Sequence, residues 1–207
     1  ELGRGSMALC HFFGRPQNIL MACEGEQIER YLLPAVRGER MDALAMTEPG
    51  AGSDVAAMRS SALRDGDHYI LNGSKTFISN GIHADLVVVA AKTDPTAGAR
   101  GVSLFLVDAS LPGFSRGKKI EKMGQHSSDT AELFFDNVKV PTKNIIGEEG
   151  QGFYYIMDSF QLERLVAGIG SVAAAELALE HTLKYMNERK AFGRSISKFQ
   201  VLRHDMA

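Results

Sequence analysis

The sequence predicts an α+β protein: a helical start, a central antiparallel β-barrel or sandwich, and a helical end. Three observations carry this expectation. Residues 1–40 place apolar side chains at helical spacing. Between residues 41 and 150, five or more short β-rich runs follow one another with tight-turn signals and no helical stretch between them. After Gly152, about 38 residues run in helical pattern without a proline, roughly 55 Å at 1.5 Å per residue.

The elements follow in order. In "GEQIERYLLPAVRGE", Ile28, Tyr31 and Leu32 fall at helical spacing, and Pro34 is expected to end or kink the helix. "RSSALRDGDHYILNGSKTFISNG" carries two hairpin signals, Asp65-Gly66 and Asn72-Gly73. "ADLVVVAAKTD" and "GVSLFLVDAS" read as strands separated by a Pro/Gly/Ala loop, and "DTAELFFDNVKVP" as a further strand stopped by Pro141. The long pattern starting at Phe153 ends before "AFG". Being apolar on more than one face, it is expected to be the buried member of a helix bundle. A second helix opens near Ser197, and no internal repeat or low-complexity tract is visible.

The bulk numbers exclude several classes. The chain has 207 residues, 44% hydrophobic, 8% aromatic and 23% charged, enough for one large domain or two small ones. A formal charge of −2 and a pI near 6.3 give no footprint for nucleic acid or an anionic membrane. Cys10 and Cys23 cannot build a disulfide framework and have no metal-type spacing with His11, so a reducing compartment is expected and no metal site. No apolar run approaches the ~20 residues of a membrane span, and no signal or transit peptide is visible. The sequence opens without Met and stops inside the helical pattern "SKFQVLRHDMA", and reads as a piece of a longer protein.

Two stretches carry chemistry. "AMTEPGAGSDVAA", residues 45–57, sets Pro49, Gly50 and Gly52 among Thr47, Ser53 and Asp54, so that backbone N–H groups and hydroxyls can approach a ligand. It is neither a P-loop nor a dinucleotide fingerprint, and by residue type alone an ordinary Gly-Ser turn is the simpler reading. "FQLERLVAG" puts the carboxylate of Glu163 in line with Ile156, Phe160, Ala167, Gly170 and Ala174, an otherwise small and apolar helix face. An ionised group there is expensive unless something requires it. Gly168 and Gly170 then make room either for a ligand or for close helix packing.

"MTEPGAGSD", "LNGSKTFISNG", "MGQHSSDTAELFFDNVKVP", "FQLERL" and "ERKAFGRSISKFQ", in this order, resemble the acyl-CoA dehydrogenase family from about Gly25 onward. The resemblance implies the end of an N-terminal helical domain at 1–40, a middle β-barrel domain at 41–150, and the first part of a C-terminal four-helix bundle at 151–207. It implies FAD-dependent oxidation of an acyl-CoA thioester to trans-2-enoyl-CoA. An electron-transferring flavoprotein is the implied acceptor, the implied assembly is a homodimer or homotetramer, and the implied location is bacterial cytoplasm or mitochondrial matrix.

By the same resemblance, Leu44, Met46 and Thr47 lie along the isoalloxazine edge, and Gly52 with Ser53 reaches the flavin or the pantetheine arm. Ser79 supplies a hydroxyl to flavin N5, and Phe77 stands where many relatives place a Trp. Ser128 lies near the CoA chain. Phe160 and Arg164 border the substrate. Arg189, Phe192 and Gln200 serve the FAD of a neighbouring subunit. The family carries its base at one of two places, and "LERL" matches the arrangement of the isovaleryl-CoA and long-chain types, with Glu163 as the base. Blander readings stay open: Phe77 as barrel core, Ser79 as a turn residue, Ser128 as a polar strand start, "ERK" as a solvated helix end, Glu163 as an ion-pair member. Oxidases and monooxygenases of the same fold, and a non-catalytic relative, stay open as well.

Overall fold

Seven strands build the central sheet: β1 (Asp42–Ala45), β2 (Ser61–Asp65), β3 (His68–Ser79), β4 (Leu86–Lys92), β5 (Val102–Asp108), β6 (Phe114–Lys119) and β7 (Thr130–Pro141). They belong to a computed structural model that describes residues 16–206. Cys10 and His11 lie outside the described residues. The chain divides into two compact units, one ending at Gln161 and the other starting at Leu162.

In the first unit the strand order is β1-β4-β2-β3-β7-β6, with β5 on β4. The sheet is mixed rather than wholly antiparallel: β1 runs parallel to β4 from Asp42↔Leu86 to Ala45↔Val89, and β2 meets the end of β4 in parallel at Ser61↔Lys92. Forty residues separate β1 from β4, ample for the crossover that a parallel pair needs. Alternation along β4 and β5 explains their unbroken apolar sequences. Val87, Val89, Phe105 and Val107 join one core cluster, while Leu86, Val88, Leu104 and Leu106 join another. The first cluster collects side chains from β1 to β5 and β7, so the sheet curls around it. The second is covered by Ile19, Leu20, Tyr31 and Ala35 from the segment before β1, and by Ile146, Ile156 and Phe160 from the segment after β7.

Asp65 closes β2 and Gly66, at φ 61°, opens the two-residue turn into β3, as expected. Asn72-Gly73 is no turn: β3 runs through it for 12 residues, with a register shift between Leu71 and Gly73. Gly73 answers a different need. Its φ is 145°, and a Cβ there would sit 2.3 Å from Ser60 Oγ. β1 and β6 are strands that the pattern did not reveal, β1 for its four-residue length and β6 for its "SRGKK" polarity.

Pro34 does not end the helical stretch, which passes through it as a π-turn at Ile28–Leu32 followed by α1 (Leu33–Val36). Proline offers no N–H to the fourth residue back and its ring crowds that carbonyl. The Leu33 amide bonds to Ile28 O, five residues back, as a widened turn requires.

Helix α2 (Gly152–Glu188) has 37 residues, as its pattern predicts. In the second unit it is followed by the hairpin β8 (Lys190–Ala191) and β9 (Arg194–Ser195) and by α3 (Gln200–Asp205). The expected burial of α2 is not observed: Leu162, Leu165, Ile169, Val172, Leu179 and Leu183 form one stripe, each 42–61% exposed. Among the described residues of this unit, a hairpin and a six-residue helix are too small to cover it. Among the described residues no helix is long and apolar enough to cross a membrane.

Candidate functional site

The loop between β1 and β2 is held by backbone hydrogen bonds at its tip and to β3. Glu48 and Ala51 pair in both directions, Glu48 N to Ala51 O at 2.9 Å and Ala51 N to Glu48 O at 3.1 Å, so Pro49-Gly50 forms a tight tip. Thr76 N donates to Thr47 O at 2.9 Å and ties the loop to β3. Gly50 and Gly52 are exposed and do not need a positive φ. A Cβ at Gly50 would meet nothing within 4 Å, and at Gly52 only Thr47 Cγ2 at 3.9 Å. The fold does not demand glycine at either place, and at both the backbone faces open space that a ligand could approach. Ser53 is exposed beside them and Thr47 is half-buried.

Strand β3 turns Phe77 outward by a bulge. Strict alternation from Tyr69 and Leu71 points Lys75 inward and then Phe77 inward as well. The β3–β7 register shifts between Lys75 and Ile78, which returns Ile78 to the core and leaves Phe77 at φ 60°, 65% exposed. A bulky side chain in that region of φ is strained, and a barrel-core role for Phe77 is overturned. Ser79, also exposed, pairs with Thr130 at the end of β3. Asn80, at φ 62°, donates from Nδ2 to Asp42 O at 3.1 Å and from its amide to Asp129 O at 3.3 Å. Ser128 is half-buried next to Asp129, and its carbonyl accepts Lys122 Nζ at 2.7 Å. Leu44, Met46 and Phe160 are partly buried against the same core cluster. The first unit thus gathers apolar side chains, exposed hydroxyls and open backbone around its loop and the end of β3, a set suited to a flat ring with polar edges.

The sequence reading missed Glu48 and Lys75. Lys75 Nζ, fully buried, meets Glu48 Oε1 at 2.8 Å. Burial pushes the Glu48 carboxyl up, but hydrogen bonds from Lys75, Ser60 and the Arg59 amide outweigh it, and its pKa lies below the ordinary value. Burial holds the Lys75 ammonium below its own ordinary value, against the pull of Glu48. The available signal was a lysine sharing the inward parity of Tyr69 and Leu71.

The second unit holds the remaining predicted residues. Glu163 is half-buried on α2 and Arg164 is exposed beside it. Along the expected face Ile156 is buried, Phe160 and Gly170 are half-buried, and Ala167 and Ala174 are exposed. Phe192 and Gly193, at φ 52° and 77°, form the two-residue tip of the β8–β9 hairpin, the left-handed pair that such a turn requires. Phe192 is 94% exposed, and its ring stands 6.1 Å from that of Phe199, edge to face. Arg189, exposed, precedes the hairpin, and its carbonyl accepts the Ile196 amide. Gln200 Nε2 lies 3.1 Å from His204 Nε2. Cys23 is buried, its thiol pushed up to about 11 by desolvation, and no metal-binding group of His, Cys, Asp and Glu exists among the described residues.

The family model for the acyl-CoA dehydrogenase middle domain matches residues 43–138, and that for the acyl-CoA dehydrogenase C-terminal domain matches residues 150–207. The chain is 46% identical over 184 residues to the long-chain specific acyl-CoA dehydrogenase of Rattus norvegicus, covering 88% of this chain and 43% of that protein. It is 43% identical to the isovaleryl-CoA dehydrogenase of Pongo abelii, covering all of this chain and 51% of that one. A solved structure described as "PigA with FAD and proline" superposes with a TM-score of 0.91 at 32% identity, covering 99% of this chain and 55% of the other. The chain spans about half the length of the curated relatives it matches. With both family models falling on the sheet and on α2 with its hairpin, the chain belongs to the acyl-CoA dehydrogenase family.

Proposed function

We propose that the protein containing this chain is an FAD-dependent dehydrogenase that converts an acyl-CoA thioester into the trans-2-enoyl-CoA. The observation that carries the reading is the β3 bulge, which exposes Phe77 beside a loop whose two glycines face open space. These residues fit a flavin: Phe77, Leu44 and Met46 offer apolar surface to a ring, while Thr47, Ser53 and Ser79 offer hydroxyls to its edge. FAD, when bound, supplies the acceptor for the hydride that leaves the substrate β-carbon.

The chain's own residues do the rest. Glu163 takes the α-proton onto its carboxylate, in the role that positioned carboxylates fill as general bases. Phe160 and Arg164 border the acyl end, and Ser53 and Ser128 meet the CoA arm. Arg189 pairs with the pyrophosphate of a neighbouring subunit's FAD, with Phe192 and Gln200 nearby, a use suited to a guanidinium and to an exposed aromatic tip. This makes the protein a homodimer or homotetramer, with an electron-transferring flavoprotein as its acceptor. The domain division follows the same reading: 1–40 ends a helical domain, 41–150 is the middle β domain, and 151–207 begins the helical bundle.

Anaerobic mixing of the full-length protein with a panel of acyl-CoAs, short to long and including isovaleryl-CoA, tests the reading. The expected result is bleaching of the flavin by at least one thioester, followed by sluggish reoxidation in air. Rapid reoxidation identifies an oxidase instead, and absence of bleaching with every thioester rejects the dehydrogenase.

A further inference from the structure

The loop carries a buried ion pair that none of these roles uses. Glu48 is 7% exposed and Lys75 is fully buried. Besides the 2.8 Å contact between them, Glu48 accepts the Arg59 amide at 2.6 Å on Oε2 and the Ser60 amide at 2.9 Å on Oε1. Lys75 Nζ donates in turn to Met46 O at 3.0 Å. One pair therefore holds the loop at both ends, at 46–48 and at 59–60, and fastens both to β3 two residues before Phe77. The neighbouring bond from Thr76 N to Thr47 O lies between the pair and the bulge.

Stability alone is a poor reason for such a pair, because well-packed apolar residues of similar volume serve a core as well or better. Placement is a better one. Four charge-assisted hydrogen bonds converge from three separate stretches of chain on two side chains, and each fixes direction as well as distance. We propose that Glu48 and Lys75 are a positioning pair that sets the loop before its ligand arrives, fixing Thr47, Ser53 and Phe77 relative to one another. The inference rests on the assignment of this loop to FAD made above. Neither residue is a catalytic group; both act through the backbone they hold.

The test uses the full-length protein stripped of FAD and then reloaded. In the wild-type apoprotein the Arg59 and Ser60 amides should exchange with deuterium as slowly as those of β4, because the clamp is in place without ligand. Amides that exchange freely in the apoprotein and gain protection only with FAD would overturn the inference. A second arm uses Glu48→Gln/Lys75→Met, which leaves no unpaired buried charge and should lose less stability than Glu48→Gln alone. It should nevertheless bind FAD ~10-fold or more weakly and shift the visible flavin bands, since small misplacements of supporting groups cost this much. Wild-type affinity with an unchanged flavin spectrum overturns the inference while leaving the function reading intact. If the double variant does not fold, the exchange experiment decides alone. A wild-type protein that takes up no FAD at all rejects the function reading, and the inference with it.

Discussion

A single carboxylate separates catalysis from architecture in α2. Glu163 lies half-buried on a helix whose apolar stripe points elsewhere, at Leu162, Leu165 and Ile169. Glu163→Gln keeps the volume and removes the carboxylate proposed to accept the α-proton. In the full-length protein the rate of flavin reduction by a good thioester should fall at least ~10²-fold, the low end for a lost general base. Substrate binding should persist. Anaerobic stopped-flow absorbance measures both, and a rate within a few-fold of wild type, with lowered thermal stability, assigns Glu163 to a structural ion pair. Phe77 makes the complementary point. Its identity was legible in the sequence, but its side of the sheet was not, because one extra residue in β3 reverses the direction of a side chain.

At the scale of elements, backbone conformation decides what each segment tolerates. Gly73 is fixed by both φ and space, with Ser60 Oγ, Cβ and Cα at 2.3, 2.6 and 2.8 Å from an added Cβ. Gly73→Ala should destabilise the protein by about 3 kcal/mol, combining overpacking with an unfavourable φ. Urea unfolding of the full-length protein checks this; a loss under ~1 kcal/mol would show that the β2 end moves aside freely. The β8–β9 tip behaves oppositely. Phe192 holds a left-handed φ of 52° that costs a non-glycine residue ~1–2 kcal/mol, and Asn tolerates it better. Phe192→Asn should therefore raise apoprotein stability by about 0.5–1 kcal/mol while lowering FAD occupancy. Unchanged occupancy, read as the flavin-to-protein absorbance ratio, removes Phe192 from the cofactor contact.

Across the whole molecule, the Glu48–Lys75 pair gives a pH signature. The folded pKa of Glu48 is depressed below the ordinary 4.5. Its stabilising effect is fully present above that ordinary value and is lost as pH falls through the lowered folded value. Asp42 is shifted the other way, its carboxyl raised by burial, so the informative quantity is a difference between two proteins. Glu48→Gln leaves Lys75 buried without its anion and should cost about 3–5 kcal/mol near neutrality. That gap should begin to narrow below 4.5, where the unfolded wild-type carboxyl takes up a proton, and close once the pH passes the lowered folded value and the folded carboxyl is protonated too. Denaturant unfolding of both proteins across the acid range measures it, and a gap independent of pH removes the charge from the explanation.

The sequence by itself determined whatever is signalled within a few neighbouring residues. The 37-residue span of α2, the Asp65-Gly66 turn, the end of β7 at Pro141, and the bare glycines of the 45–57 loop all follow from local pattern and backbone freedom. The family motifs made the candidate site residues nameable for the same reason, since each is a short contiguous string. Tertiary structure decided the rest. The parallel pairing of β1 with β4, the passage of β3 through Asn72-Gly73, the outward turn of Phe77 and the clamp between Glu48 and Lys75 each depend on a segment distant in the chain. Alternation along a strand states which residues share a face, but the partner strand sets the register, and a single inserted residue exchanges core for surface. The exposed stripe of α2 belongs to the same class: its periodicity records a face suited to burial, while the pattern by itself does not say what packs on it.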